Sequence, residues 1–327
     1  MKILPFFLLF VVLFFAVYGI VYFTKPIVIP STLVDIQAGD TAQQVADKLY
    51  NLGIIRSRSW FYLYVKISGI DKHLSRGKYL FAGKQSLFDI AEKIRNGKVV
   101  QKHITIPEGL TIKKTCRKLA KNGFGNYQKF LSLCNDSVLA KQLTGFSIPN
   151  LEGFLYPETY YFPEETQERF IIEHLVNQFF KVTSKLNFNT PHNLNFYQTI
   201  ILASIVEKEA KMNDEKPLIA SVYLNRLQFN YKLQADPTIA YILEQMGKNR
   251  KKIYYKDLEL DSPFNTYKYP GLPPTPICSP SLSSIDAVLK PADTNYFFFF
   301  ADNKGRHIFS QTYNQHLYKQ RELKNGR

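Results

Sequence analysis

The sequence predicts an α+β protein carried on an N-terminal transmembrane helix. Three observations predict this: an uncharged run at the start, a strand–turn–helix pattern that recurs three times, and a second half that mixes helices with a proline-rich loop and an aromatic strand. At 327 residues, 45% hydrophobic and 21% charged, the chain is globular and longer than one hydrophobic core usually grows. More than one domain is expected.

Residues 1–4 carry Lys2 and the terminal amine and are expected on the cytoplasmic side. Residues 5–23, Pro5 to Phe23, are uncharged and rich in Phe, Leu and Val, close to the roughly 20 residues that span a hydrocarbon core. Positive charge ahead of the run favours an exported remainder. The expectation is a single-pass anchor in the inner (plasma) membrane with the rest of the chain on the extracytoplasmic, periplasmic side. A cleaved signal peptide is the rival, with Val17-Tyr18-Gly19 as its small-residue site, but the apolar run continues past that point.

Residues 24–31, with Pro26 and Pro30, read as a linker. Within residues 32–123 one pattern recurs: a short apolar strand, a Gly-containing turn, a Thr or Ser at a helix-capping position, and apolar residues at helical spacing. It covers Ile36 to Leu49, Phe81 to Ile94 and Ile106 to Leu119. Counting from Thr41, Ser86 and Thr111, the positions four and eight later are Val45 and Leu49, Ile90 and Ile94, Thr115 and Leu119. Only Thr115 breaks the apolar rule. A capping hydroxyl satisfies an orphan helix N–H and the apolar stripe packs on the strand, giving small α/β units. These units resemble LysM-like modules, which bind N-acetylglucosamine-containing glycans; packing without a ligand is the plainer alternative.

Residues 124–327 form the expected second domain. From 124 to 200 the chain reads as mostly helical, interrupted by the Pro-rich and aromatic stretch Pro149 to Pro163. A long helix starts near Asn195 and carries Glu209; a second, Lys216 to Leu227, follows the connection Asn213, Asp214, Glu215. Beyond Asp261 a series of prolines excludes regular helix and favours a fixed loop. Tyr296 to Ala301 reads as a buried strand.

The formal net charge of +15 suggests an anionic partner or surface. The basic residues are spread along the chain, with only Lys248 to Lys252 clustered, and no nucleic-acid module is recognisable. No nucleic-acid partner is therefore expected. Cys116, Cys134 and Cys278 cannot all pair within one chain; Cys116 with Cys134 is the one pairing considered, and sequence does not establish it. Without CxxC or HExxH, and with scattered histidines, neither a metal nor a cofactor is expected.

The segment Ile201 to Glu209 (ILASIVEKE) carries the candidate chemistry. At about 100° per residue, Ile201, Leu202, Ile205 and Val206 fan over one side of the helix and Glu209 points into that fan, with Glu207 almost opposite. A carboxyl group in an apolar setting keeps its proton nearer neutral pH, as a general acid must. The alternative is a structural ion pair with Arg226 or Lys208. For Glu207 the reading is a solvated charge on the outer face, with a catalytic role as the fallback.

Several strings resemble the endolytic murein transglycosylase (MltG, or YceG-like) family of bacterial cell-wall enzymes: LEGFLYPETY at 151–160, ASIVEKE at 203–209, ASVYLNRL at 220–227, LQADPT at 233–238, Asn265-Thr266-Tyr267, GLPP at 271–274, and Lys290 to Ala292 with Ala301-Asp302. Order and spacing agree along the chain. Three positions depart: Thr275 and Ser281 where the family usually has Gly, and Phe264 where it has Tyr. The resemblance implies that Glu209, the second Glu of EKE, is the catalytic acid. It also implies a lytic transglycosylase catalytic domain over 124–327 acting on peptidoglycan glycan strands, with the cell-wall synthesis machinery as a further partner. Gln234, Asp236, Asn265 and Tyr267 are the substrate-binding candidates, since loop polar groups beside an aromatic suit sugar hydroxyl and N-acetyl groups; Asp236 as a cap before Pro237 and Tyr267 as core are their alternatives. His307 and His316 fit the pattern too, with loop-fixing as an equal reading. The competing functions are a hydrolytic muramidase, with Asp214, Glu215 or Asp236 as second carboxylate, and a non-catalytic glycan-binding scaffold.

Overall fold

The computed structural model describes residues 17, 19, 21–188, 193–248, 250 and 252–325. Residues 1–4 and most of the expected span 5–23 lie outside the described residues. Among those described, no helix is long and apolar enough to cross a membrane. The chain divides into two compact units, residues 1–103 with 161–165, and residues 104–160 with 166–327. The third recurrence of the capped pattern, Ile106 to Leu119, thus falls in the second unit, ahead of the expected division at 123/124.

In the first unit, β1 (Ile27–Ile36) leads to α1 (Ala42–Asn51) and α2 (Arg58–Ile67), and β2 (Gly77–Gln85) to α3 (Leu87–Arg95). The strands pair antiparallel, Leu33 opposite Leu80, with a register shift between Ile29 and Thr32. This corrects the linker at 24–31, because Ile27 to Ser31 belong to β1. Pro30 lacks a ladder donor and is accommodated at that irregularity, as proline in a strand requires. Thr41 and Ser86 cap α1 and α3, each closing a capping box with Gln44 and Asp89. Val45, Leu49, Ile90 and Ile94 then fall in one core with Val34, Tyr79 and Phe81, as the spacing requires.

β3 (Gln101–Thr105) pairs with β4 (Thr159–Pro163), and the unit boundary passes through both strands. The second unit continues with α4 (Ile112–Lys121), α5 (Tyr127–Cys134), α6 (Ser137–Thr144) and α7 (Glu168–Thr183). Thr111 caps α4, and Thr115 and Leu119 are both buried. The Cys116 and Cys134 sulfurs lie 3.8 Å apart as buried free thiols.

Then come α8 (Phe196–Glu209), α9 (Lys216–Gln228) and α10 (Asp236–Gln245). Asn195 caps α8, where the helix start is expected, in a capping box with Gln198. After the proline-rich loop follow α11 (Leu282–Leu289), the hairpin β5 (Phe298–Ala301) and β6 (His307–Ser310), and α12 (Tyr313–Asn325). The strand expected at 296–301 is shorter and only half-buried, because it belongs to a two-stranded hairpin with one open side.

The proline-rich loop is fixed onto α8 by its own backbone. Ile277 N donates to Ser204 Oγ at 3.0 Å, and Ser279 exchanges backbone hydrogen bonds with Gly109 and Leu110. Gly153 makes the approach of this loop possible. Its φ is +91°, and a Cβ there would sit 2.6 Å from Pro276 Cγ.

Candidate active site

Glu209 is the last residue of α8. Every residue of that helix from Thr199 to Val206 is buried. Over that stretch the helix has no solvated face, with only Thr199 and Ser204 polar among apolar residues, as expected for a helix inside a domain. Glu209 itself is half-buried, where the helix emerges. Burial pushes its carboxyl up to about 7, a hydrogen bond from Tyr223 works against this, the Asp236 charge adds to it, and the Arg226 charge opposes it. Its place at the negative end of the helix dipole acts in the same direction as burial.

Tyr223 reaches this carboxyl from α9, and the charge of Arg226 acts on it from the same helix. The Tyr223 hydroxyl donates to Glu209 Oε1 at 2.6 Å, and its ring stands edge-on to Phe299 of β5. Arg226 is 6% exposed; its Nε donates to Phe297 O at 2.7 Å and its Nη1 to Leu233 O, with Tyr231 and Phe298 on its faces. One guanidinium thus fixes the hairpin and the loop that leads to α10, while its charge bears on Glu209.

Asp236 opens α10, and its Oδ1 accepts from Tyr267 Oη at 2.5 Å. No side-chain capping bond is made at this helix start, so the cap reading of Asp236 gives way to the Tyr267 pair. Gln234 holds a left-handed backbone, φ +48°, its N–H donating to Thr266 O and its side chain exposed. Asn265 is different. It is fully buried, its amide donates to Leu258 O and Leu260 O, and its Oδ1 accepts from Tyr267 N. That side chain is engaged in shaping the loop beneath Tyr267 and has no donor left for a sugar.

Glu207 corrects the expectation of a solvated outer charge. Its side chain is 11% exposed, and Oε2 accepts from Ser281 N at 2.9 Å, from the Ser281 and Ser284 hydroxyls, and from Lys216 Nζ at 3.3 Å. Burial pushes its carboxyl up, but the serine hydrogen bonds and Lys216 outweigh it and hold the group below its usual value. Glu207 is a clasp between α8, α9 and the start of α11.

The other carboxylates near the α8–α9 connection are also engaged. Asp214 pairs with Arg306 at 2.7 Å, and Glu215 accepts from His307 N and faces His307 Nδ1, both at 2.9 Å. His307 therefore fixes the β5–β6 hairpin. His316 packs among Phe298, Phe300 and Tyr313. Among the described residues no three His, Cys, Asp or Glu side chains are placed to hold a metal ion.

Glu209, an acid poised near neutrality, thus has one buried arginine, one buried phenol and one second carboxylate around it. The model of the YceG-like family matches residues 34–322. The chain belongs to the YceG-like family. It is 30% identical over 305 residues to an endolytic murein transglycosylase of Bacillus subtilis, covering 86% of this chain and 82% of that protein. It is 27% identical over 314 residues to one of Streptococcus pneumoniae, covering 86% of this chain and 56% of the relative. A YceG-like protein of Listeria monocytogenes, solved at 2.6 Å, superposes with a TM-score of 0.60 at 32% identity, over 88% of this chain and 99% of that one.

Within this YceG-like chain the departures have local reasons. Ser281 supplies the hydroxyl that Glu207 accepts, Thr275 Oγ1 donates to Pro276 O at 3.0 Å, and Phe264 packs on Tyr241 with centroids 5.0 Å apart. Tyr223 and Glu152 escape a reading of the sequence, and Arg226, read there only as a possible ion-pair partner, acts on Glu209 by its charge while its own hydrogen bonds go to Phe297 O and Leu233 O. Tyr223 and Arg226 are less than one turn apart on α9, a signal visible only once that helix is known to be buried. Glu152 is 2% exposed, accepts from Ile112 N at the start of α4 and from Tyr241 Oη, and is pushed up to about 8, mainly by burial.

Proposed function

We propose that this chain is an endolytic peptidoglycan lytic transglycosylase, a lyase that cleaves the β-1,4 bond between N-acetylmuramic acid and N-acetylglucosamine in nascent glycan strands and leaves 1,6-anhydro-N-acetylmuramic acid ends. The observation that carries this is Glu209, a carboxyl held close to neutrality at the end of a buried helix, in a chain whose relatives bear the name endolytic murein transglycosylase.

Protonated Glu209 donates to the glycosidic oxygen as the C1–O bond breaks. The carboxylate so formed takes the proton of the muramyl C6 hydroxyl as that oxygen bonds to C1, which regenerates the acid. The nucleophile belongs to the substrate, whose proximity replaces a bound water. Tyr223 and Arg226 stabilise Glu209 while it carries charge. Gln234, Asp236 and Tyr267 bind the sugar beside the bond that breaks, and Asn265 positions Tyr267.

The same reading extends to the rest of the chain. The uncharged run 5–23 is a single-pass anchor that holds the catalytic domain on the extracytoplasmic side of the plasma membrane, with residues 1–4 in the cytoplasm. Within residues 32–123, the capped strand–helix units are LysM-like glycan-binding modules. In this setting the enzyme terminates strand elongation during cell-wall assembly, alongside the synthesis machinery. Incubating the detergent-solubilised chain with uncrosslinked glycan strands tests the activity: shortened strands are expected from the wild type and none from Glu209→Gln. Equal shortening by both would overturn the assignment.

A further inference from the structure

Beside the catalytic helices lies a groove of about 810 Å³ with no part in the chemistry above, within the size range of ligand sites. Its walls are the N-terminal half of α8, the C-terminal half of α9, and the Gly271–Pro274 segment of the proline-rich loop. In a protein of net charge +15, none of the described residues lining it is charged. The lining consists of amides, apolar side chains, one tyrosine and two prolines.

The amides are already oriented. Asn195 Oδ1 accepts from Gln198 N at 2.9 Å and Gln198 Oε1 accepts from Asn195 N at 3.0 Å. Each oxygen is thus engaged at the helix end, and each NH₂ is left to donate. Gln228 is exposed on the α9 side. Tyr197 is held by stacking on Phe154 at 6.2 Å and Phe146 at 6.5 Å. Fixed amide donors between an aromatic ring and proline faces suit hydroxyl and acetamido groups and offer nothing to a carboxylate or an ammonium.

The groove is built on the same two helices that carry Glu209, Tyr223 and Arg226. Ile201 lines it from α8, about 12 Å along the helix from Glu209. Leu227 lines it from α9, one turn beyond Tyr223 and on the same face. We infer that this groove is a distal subsite for an uncharged, N-acetylated stretch of the glycan strand, engaged several sugars from the bond that breaks. The inference rests on the transglycosylase reading for its substrate class. It accounts for cutting within strands, because a chain end too short to fill the groove forfeits its contacts.

The test titrates full-length Glu209→Gln in detergent with an N-acetylglucosamine hexasaccharide and, separately, with a sugar-free acidic stem peptide. Adding Gln228→Trp fills the groove from an exposed position, and hexasaccharide affinity should fall about tenfold, the weight of a well-made set of contacts. Gln198→Glu keeps the capping-box acceptor while placing a charge in the groove; it should weaken hexasaccharide binding too, and it serves as the test if Gln228→Trp does not fold. Affinity unchanged in both variants, or stem-peptide binding that depends on Gln228, overturns the inference. If the wild type cuts no strands but hexasaccharide binding still depends on Gln228, the transglycosylase reading falls and the groove stands. If strands are cut and the hexasaccharide is insensitive to both changes, the groove alone falls.

Discussion

At the scale of single residues, the proposed catalysis turns on how the surroundings set the proton of Glu209. A general acid works while protonated, so kcat/KM should fall on the basic side through a value near about 7. Asp236 raises Glu209 by like charge, so Asp236→Asn should move that basic limb to lower pH. Tyr223 lowers it by hydrogen bonding, so Tyr223→Phe should move the limb to higher pH. Shifts of the same sign in the two pH–rate profiles would refute this picture of the site. Glu209→Gln should retain glycan affinity and lose about 10² to 10⁴ in turnover. The partly buried setting and raised carboxyl of Glu209 are legible from its apolar neighbours, but the amphipathic premise is not right. Thr199 to Val206 are buried on all sides, and Glu207 faces serines and Lys216 where solvent was expected. Periodicity alone does not tell a buried helix from a half-buried one.

At the scale of elements, two contacts add to the backbone bonds that hold the proline-rich loop against α8. Gly153→Ala should cost about 1–3 kcal/mol, since a left-handed backbone and Pro276 both oppose the new methyl. A thermal melt measures it, and an unchanged midpoint would mean that the loop does not press on Gly153. Glu207→Gln should lower stability by about 2–3 kcal/mol by removing the charged partner of the serines and Lys216, with turnover per folded molecule largely kept. Glu152 adds a pH-dependent term. Its folded value of about 8 lies above its ordinary 4.5, so the stability it permits is fully present below about pH 4.5 and lost as pH rises through about 8. Melting midpoints should therefore fall more steeply over that window in the wild type than in Glu152→Gln. The capped helices were legible because Thr41, Ser86, Thr111 and Asn195 bond locally to their own helix ends. The β5–β6 hairpin and α11 were not, because what fixes them is remote: Glu215 on His307, Arg226 on Phe297 and Glu207 on Ser281.

At the scale of the whole molecule, the uncharged run 5–23 predicts that the mature chain stays with the membrane fraction. Removal of residues 1–23, with another signal supplied for export, should release an active enzyme. A native chain already soluble and beginning near residue 20 would point to cleavage. The proposed reaction requires that the strand be cut by its own C6 hydroxyl and not by water. Asp214 and Glu215 are engaged by Arg306 and His307, which leaves Asp236 as the carboxylate whose charge reaches Glu209, itself bound by Tyr267. Cleavage of uncrosslinked glycan strands in ¹⁸O-labelled water, followed by mass spectrometry of the new muramic ends, tests this directly. Attack by the C6 hydroxyl predicts anhydro ends that lack one water and carry no ¹⁸O; reducing ends carrying one ¹⁸O per cut would contradict it and make the protein a muramidase with Asp236 as its base.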